Sequence, residues 1–170
     1  MVSFIQSNYY GFGSGVVVPG TGIALQNRGA GFVLSPGHPN RVAGGKRPFH
    51  TIIPGFLTQE GEALASFGVM GGPMQAQGHV QMVVRLLDYR QDPQAAADAP
   101  RWQVLQGADV AIEEGYDPGV LSELESRGHV LRRSGMGEDF AFGGAQLVLR
   151  GEAGYVAASD PRKEGQAVGY

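Results

Sequence analysis

The run Val69-Met70-Gly71-Gly72-Pro73-Met74 holds the residues best suited to chemistry. It lies between a strand pattern and the strongest helix pattern of the chain. Two successive glycines let the backbone turn freely. Their N–H groups, with a helix N-terminus behind them, make a place for negative charge. Such a place accepts a phosphate, a carboxylate or the oxyanion of an acyl-transfer intermediate. The plain alternative is a tight strand-to-helix turn with nothing bound. The run is not a P-loop, because no Lys-Ser/Thr pair follows the glycines. Asn8, Tyr9 and Tyr10 stand in a glycine-rich loop, where they either touch a ligand or pack. Lys46-Arg47 precedes Pro48-Phe49-His50, a basic pair that meets a carboxylate or stays solvated. His38, His50, His79 and His129 have no metal-ligand spacing, so no metal is expected. His79 falls on a polar helix face and reads as inert. Gly137-Glu138-Asp139 reads as an acidic surface turn. No Ser-His-Asp set can be drawn from spacing, since such sets are assembled in space.

These residues belong to a chain of 170 residues with 28 glycines, 10 prolines and no cysteine. Hydrophobic residues make up 42 %, enough for one core, and the length suits one domain. The net charge of −3 argues against a nucleic-acid binder driven by phosphate neutralisation. No apolar run approaches the roughly 18 residues of a membrane span. The lack of cysteine removes disulfides, thiolate metal sites and a cysteine nucleophile. Neither compartment, cytoplasmic or periplasmic, is set by these numbers. The start, Met1-Val2-Ser3-Phe4-Ile5-Gln6, lacks the basic lead and long apolar core of a signal peptide. It reads as a strand entered at its second residue, which is the look either of a truncated chain or of an ordinary edge strand that opens a small domain.

The elements that position the residues follow from pattern. Val16–Val18 and Ile23–Leu25 flank the turn Pro19-Gly20-Thr21-Gly22 and predict a hairpin. Residues 27–50 form a long irregular stretch, a kind that is usually functional or mobile. Residues 52–57 and 63–69 predict two strands joined by the polar turn Thr58-Gln59-Glu60-Gly61. The best helix runs over 75–89, with Ala76, Val80, Val83, Val84 and Leu87 as its apolar stripe. Pro73 suits its first turn. A short helix follows Pro93 over 95–98. Trp102 and residues 110–112 predict strands. Asp117-Pro118 opens a third helix with Val120, Leu121 and Leu124 inward and Gly128 as its stop. Residues 130–131, 145–149 and 155–158 predict closing strands. The mixture implies an α+β fold, sheet covered by helices.

Taken in order, the motifs resemble the gamma-glutamyltransferase family, in the C-terminal part of its small catalytic subunit. The matching residues are Phe12-Gly13-Ser14-Gly15, Thr21-Gly22-Ile23 to Gln26-Asn27, Lys46-Arg47-Pro48, Met70-Gly71-Gly72, Gln81-Met82-Val83-Val84, Ala99-Pro100-Arg101, Ala158-Ser159-Asp160-Pro161-Arg162 and Gly169-Tyr170. The glycine pair alone is a weak signal, whereas the ordered set is specific. The resemblance implies an N-terminal nucleophile hydrolase fold, an αββα sandwich of two stacked, mostly antiparallel sheets covered by helices. It implies a precursor that cuts itself before a threonine, whose own amine then serves as base. That threonine attacks a gamma-glutamyl or related acyl amide and passes the acyl group to water or an amine. No organic cofactor is implied.

The same resemblance places the threonine ahead of the strand entered at Val2, together with a preceding large subunit. Residues 1–170 are therefore expected to be a single, incomplete domain, a fragment inactive alone. Its partners would be that large subunit and upstream segment and a small-molecule substrate, with self-association through exposed strand edges. Residue by residue, Gly71 and Gly72 match the oxyanion pair, and Ser7 matches a threonine that hydrogen-bonds the nucleophile. Tyr9 stands where an asparagine lies near the donor's amino group. Arg28 and Gly31 stand where a glutamine or glutamate and an aspartate bind that amine. His50 and Thr51 stand where a serine pair holds the donor's carboxylate. A cation in place of acceptors repels an ammonium group and favours a carboxylate. A different class of function, a non-catalytic carboxylate-binding module built on the Gly71-Gly72 turn with Arg28 and Arg47, is the competing expectation.

Overall fold

The structure, a computed structural model, describes residues 1–135 and 142–169. The expected acidic turn Gly137-Glu138-Asp139, and Tyr170, lie outside the described residues. Contacts divide the chain into two compact units, Met1–Ser3 with Pro54–Tyr170, and Phe4–Ile53.

The larger unit opens its sheet with β1 (Gly55–Gln59) and β2 (Glu62–Met70), antiparallel across Glu60-Gly61. Both turn residues have positive φ, 54° and 85°, as a two-residue hairpin loop requires. β1 begins at Gly55 rather than at Ile52, because Pro54 has no N–H for a ladder. β6 (Gly144–Gly151) and β7 (Gly154–Ser159) complete a four-stranded antiparallel sheet of order β1-β2-β6-β7. A second sheet has order β3-β4-β5, from β3 (Trp102–Gln106), β4 (Asp109–Glu113) and β5 (Val130–Ser134). β3 and β4 are antiparallel, whereas β4 and β5 are parallel. The parallel pair needs a crossover, and the helix α3 (Pro118–Ser126) supplies it.

Helix α1 (Met74–Val83) runs on into a π-helical turn over Val84–Asp88, so the expected 75–89 helix exists in two forms. Its inward face is the expected one only in part: Val83 packs on the core and Val84 is half-buried. Val80 and Leu87 are exposed and Ala76 lies on the surface, while Met74, Gln75, Gly78, Gln81 and Met82 are buried. The reason is polar. β3 is an edge strand, and two glutamine amides of α1 serve that edge. Gln77 accepts the Val104 N–H at 2.8 Å and donates to its carbonyl at 3.2 Å. Gln81 accepts the Trp102 N–H at 3.1 Å and donates to its carbonyl at 2.9 Å. Residues four apart on a helix rise about 6 Å, and residues two apart on a strand span about 6.6 Å. The helix therefore stands in for a neighbouring strand. A pattern built on apolar residues alone misses this face.

Helix α2 (Pro93–Asp98) is capped by Asp92, whose carboxylate accepts Gln94 N–H at 2.9 Å and Ala95 N–H at 3.2 Å. Asp117 caps α3 in the same way, as expected. Val120 is nevertheless outward, because α3 buries none of its residues fully and only Leu121 and Leu124 are half-buried. The core joins alternate residues of the four-stranded sheet, Phe67, Val69, Ala145, Leu147 and Ala158, to Met82, Leu86, Ala96 and Ala97. The start of the chain departs from expectation. Residues 1–8 join no sheet, and Val2 and Phe4 are exposed. The Ser3 hydroxyl donates to the Phe67 carbonyl of β2 at 2.9 Å. Among the described residues no helix is long and apolar enough to cross a membrane.

In the smaller unit the expected hairpin is reduced to one bridge, Val17 with Ala24. Backbone bonds flank it, Val18 N–H to Ile23 carbonyl at 2.9 Å and Leu25 N–H to Val16 carbonyl at 2.8 Å. The stretch over 27–50 is irregular, as expected, apart from a 3₁₀ turn at Arg28–Gly31 and a parallel bridge between Val33 and Arg41.

Candidate active site

Gly71 and Gly72 follow the last residue of β2 and precede α1, with Pro73 at the helix N-cap. Their φ angles, +140° and +60°, put both in the region that favours glycine. The carbonyls are used: Gly71 accepts the Met74 N–H at 3.2 Å and Gly72 the Gln75 N–H at 3.1 Å. Among the described residues neither glycine N–H has an acceptor. Two free donors at the start of a helix are what a developing negative charge needs.

The turn is braced by residues that pattern reading did not single out. A Cβ on Gly143 would fall 1.9 Å from the Met70 carbonyl oxygen, and one on Gly71 would fall 3.0 Å from Gly143 Cα. The two backbones thus meet glycine to glycine. Phe142-Gly143-Gly144, a second glycine pair entering a strand, was the available signal. A Cβ on Gly78 would lie 2.6 Å from Val69 Cγ1, so α1 presses on the end of β2. His79 is not inert: its Nε2 accepts the Val69 N–H at 3.0 Å.

The smaller unit gathers Ser7, Tyr9, Arg28 and Thr51. The half-buried Arg28 donates from Nη1 to Thr51 Oγ1 at 3.0 Å and from Nη2 to the Ser7 carbonyl at 3.5 Å. Its guanidinium carbon lies 5.3 Å from the Tyr9 ring centroid, within cation–π range. Among the described residues it has no carboxylate partner. Thr51 is buried. Tyr9 has φ +80°, an uncommon conformation for a side-chain-bearing residue. The Ser7 hydroxyl accepts the Tyr9 N–H at 2.9 Å and so helps to hold that conformation. Tyr9 donates to the Tyr10 hydroxyl at 3.3 Å. That bond, then burial, raises the Tyr9 phenol above its ordinary value, while Arg28 pulls it down. A Cβ on Gly31 would lie 3.7 Å from the Tyr9 hydroxyl, so Gly31 belongs to this group. His50, next in chain to Thr51, is exposed.

Two asparagines pin these loops. Asn27 accepts the Tyr10 N–H at 2.9 Å and donates to the Tyr10 and Gly13 carbonyls, both at 3.0 Å. Asn40 donates to the Gly31 carbonyl at 2.6 Å and accepts the Phe49 N–H at 2.7 Å. Lys46 donates to the Pro39 carbonyl, and Arg47 is exposed.

A glycine-pair turn with free N–H groups before a helix, in a chain that also carries glycine-rich loops, has counterparts among known proteins. The profile of the gamma-glutamyltranspeptidase family matches residues 1–170. The chain belongs to that family. A glutathione hydrolase-like YwrD proenzyme of Bacillus subtilis is 36 % identical over 176 residues. An oxamate amidohydrolase proenzyme of Klebsiella pneumoniae is 38 % identical over 177 residues. Each comparison covers 99 % of this chain and 33 % of the relative, so the chain spans about a third of the length of the curated relatives it matches. A crystal structure of a cephalosporin acylase from Bacillus halodurans superimposes with a TM-score of 0.86 at 50 % identity, over 95 % of this chain and 30 % of that one. The fold is the α+β architecture of the N-terminal nucleophile hydrolases, as the family resemblance implied.

Proposed function

We propose that this gamma-glutamyltranspeptidase-family chain is the oxyanion- and donor-binding part of an amide hydrolase that works through an acyl-enzyme. The observation that carries the reading is the pair of unpartnered N–H groups at Gly71 and Gly72, at the N-terminus of α1. A hydroxyl oxygen adds to the amide carbon, and the carbonyl oxygen takes the negative charge between these donors. Collapse breaks the C–N bond and releases the protonated amine, and water then frees the acid. The hydroxyl is that of a threonine outside residues 1–170, so these residues alone are inactive. Neither serine at the start of the chain fits the role. Ser3 is spent on the Phe67 carbonyl and Ser7 on the Tyr9 N–H. Ser7 instead supports its neighbours.

The donor is an acyl amide whose acyl part carries a carboxylate, held by Arg28 with Thr51, Tyr9 and His50. A half-buried guanidinium without an acid favours an anion. The oxamate amidohydrolase relative is named for a small donor of this kind.

The test is Gly72→Ala in the whole gene product. A Cβ there meets nothing within 4 Å, so no clash is built in, but φ +60° is strained for alanine, and relief of that strain shifts the backbone N–H from its aim. We expect kcat to fall about 100-fold, the scale of one oxyanion donor. Unchanged kcat would remove the oxyanion assignment. A non-catalytic anion-binding module would bind oxamate and show no turnover even in the whole product.

A further inference from the structure

The position of Gly71 and Gly72 depends on the end of β2, and that end is held unusually. The pairing of β1 with β2 stops at Gly55 opposite Phe67. Val69, two residues on, donates its N–H to a side chain, His79 Nε2, at 3.0 Å. His79 lies in α1, on the other side of the glycine turn, so this bond closes residues 69–79 into a loop around Met70-Gly71-Gly72. Gly78 makes the closure possible, because any larger residue would strike Val69 Cγ1. The imidazole is half-buried, with its ring 5.0 Å from that of Phe67.

We infer that His79 is a positioning residue for the oxyanion turn, its neutral imidazole clamping Val69 so that the Gly71 and Gly72 N–H groups stay aimed at the reacting carbonyl. The inference rests on the proposed role of that turn. Because Nε2 accepts, the ring must be the neutral Nδ1–H tautomer. Protonation would set an N–H donor against the Val69 donor and open the clamp. Burial pushes the His79 pKa below its ordinary value and so keeps the ring neutral. α1 has no other ionisable residue, and β1 and β3 have none. In β2 only Glu62 ionises, and it pairs with Arg150 of β6 at 3.0 Å, at the far end of the strand. In the π turn, Arg85 is committed to the carbonyls of Ala96, Ala99 and Pro100, and Asp88 is exposed.

The test uses the whole gene product with oxamate or gamma-glutamyl p-nitroanilide, whichever it turns over faster. His79→Leu removes the acceptor and keeps bulk, whereas His79→Gln restores an acceptor oxygen. We expect His79→Leu to lower kcat by roughly 10- to 100-fold, the scale of a small misplacement of catalytic groups. KM should stay within about twofold of wild type, since only the turn is disturbed. His79→Gln should recover most of the rate. Wild-type kcat in His79→Leu, or equal losses in both variants, overturns the role of His79. If Gly72→Ala is harmless, the oxyanion reading fails and this inference with it. If Gly72→Ala is damaged and His79→Leu is not, only the clamp fails. Should His79→Leu not fold, 15N NMR of the wild type decides. The Nδ1–H tautomer should persist below pH 6.5, with kcat falling in step as the ring protonates. A ring already charged at pH 6.5, or kcat flat through its titration, overturns the proposal.

Discussion

Arg28 brings a full positive charge into a half-buried position, yet its partners are a hydroxyl, a carbonyl and a ring face. None of these neutralises it. A guanidinium offers five N–H donors, and among the described residues Arg28 makes two bonds, to Thr51 Oγ1 and the Ser7 carbonyl. The free edge of the fork matches a carboxylate, which it can bind with two parallel bonds. A charge-assisted bond of this kind is worth about 1.5–3 kcal/mol, or roughly 10- to 150-fold in binding. We therefore expect Arg28→Gln to raise KM for a carboxylate-bearing donor at least tenfold, with little change in melting temperature. The same variant should narrow the gap to a donor bearing an ammonium group, because a repelling charge is gone. Steady-state kinetics with oxamate and a gamma-glutamyl amide measure both effects. An unchanged ratio between the two donors would rule Arg28 out as the discriminating residue.

The strand-turn-helix unit from β2 to α1 shows which elements pattern can find. Short runs rich in apolar residues give β2, β6 and β7, and the caps at Asp117 and Gly128 give α3, because these signals are local. The facing of α1 is not local. Its apolar residues Val80 and Leu87 look outward while Gln81 is buried, since the unmet N–H and carbonyl groups of the β3 edge demand amides. The candidate site divides in the same way. The glycine turn is visible as two glycines before a helix, whereas its brace at Gly143 arises where the chain entering β6 meets the end of β2, and its clamp at His79 arises between α1 and β2. Tyr9, Arg28 and Thr51 stand far apart in sequence, so their meeting was available only through family likeness. The amide caps make a direct prediction. Gln81→Leu strips the Trp102 N–H and carbonyl of their partners, at about 1–3 kcal/mol for each group left unmet. We expect a matching loss in chemical denaturation. Val80→Gln, on the exposed face, should cost under about 0.5 kcal/mol. Equal losses for the two would mean that the amides do not cap β3.

Across the whole of the larger unit, the two sheets are joined by buried charge rather than by apolar contact alone. Arg101, Glu113, Asp160 and Arg162 are almost fully buried and make a neutral set of two cations and two anions. Arg162 pairs with Glu113 at 2.6 Å and with Asp160 at 3.0 Å, and Arg101 pairs with Asp160. Asp160 also accepts the Ala145 N–H of β6 at 2.7 Å, while the Arg162 guanidinium reaches the carbonyls of Ala97 and Ala99 at 3.0 Å. One cluster thus fastens the segment after β7 to α2, β4 and β6. Burial pushes the Asp160 carboxyl up, but the Ala145 N–H and Arg101 outweigh it and leave the group below the ordinary 3.8. A depressed carboxylate contributes stability that is complete above its unfolded pKa and is lost as pH falls through its folded one. The unit should therefore hold its Asp160 contribution at neutral pH and shed it below about pH 4. Asp160→Asn removes the charge at every pH and leaves Arg101 buried without its counter-ion, a loss of about 3–5 kcal/mol. Replacing both partners, Arg101→Met with Asp160→Leu, should cost much less than Asp160→Asn, because no charge is stranded. Denaturation at pH 7 and pH 3.5 checks the pair. The Asp160→Asn deficit should be large at the higher pH and shrink at the lower, where wild type begins to lose the same interaction. A deficit that is equal at both would mean that Asp160 acts by shape and not by charge.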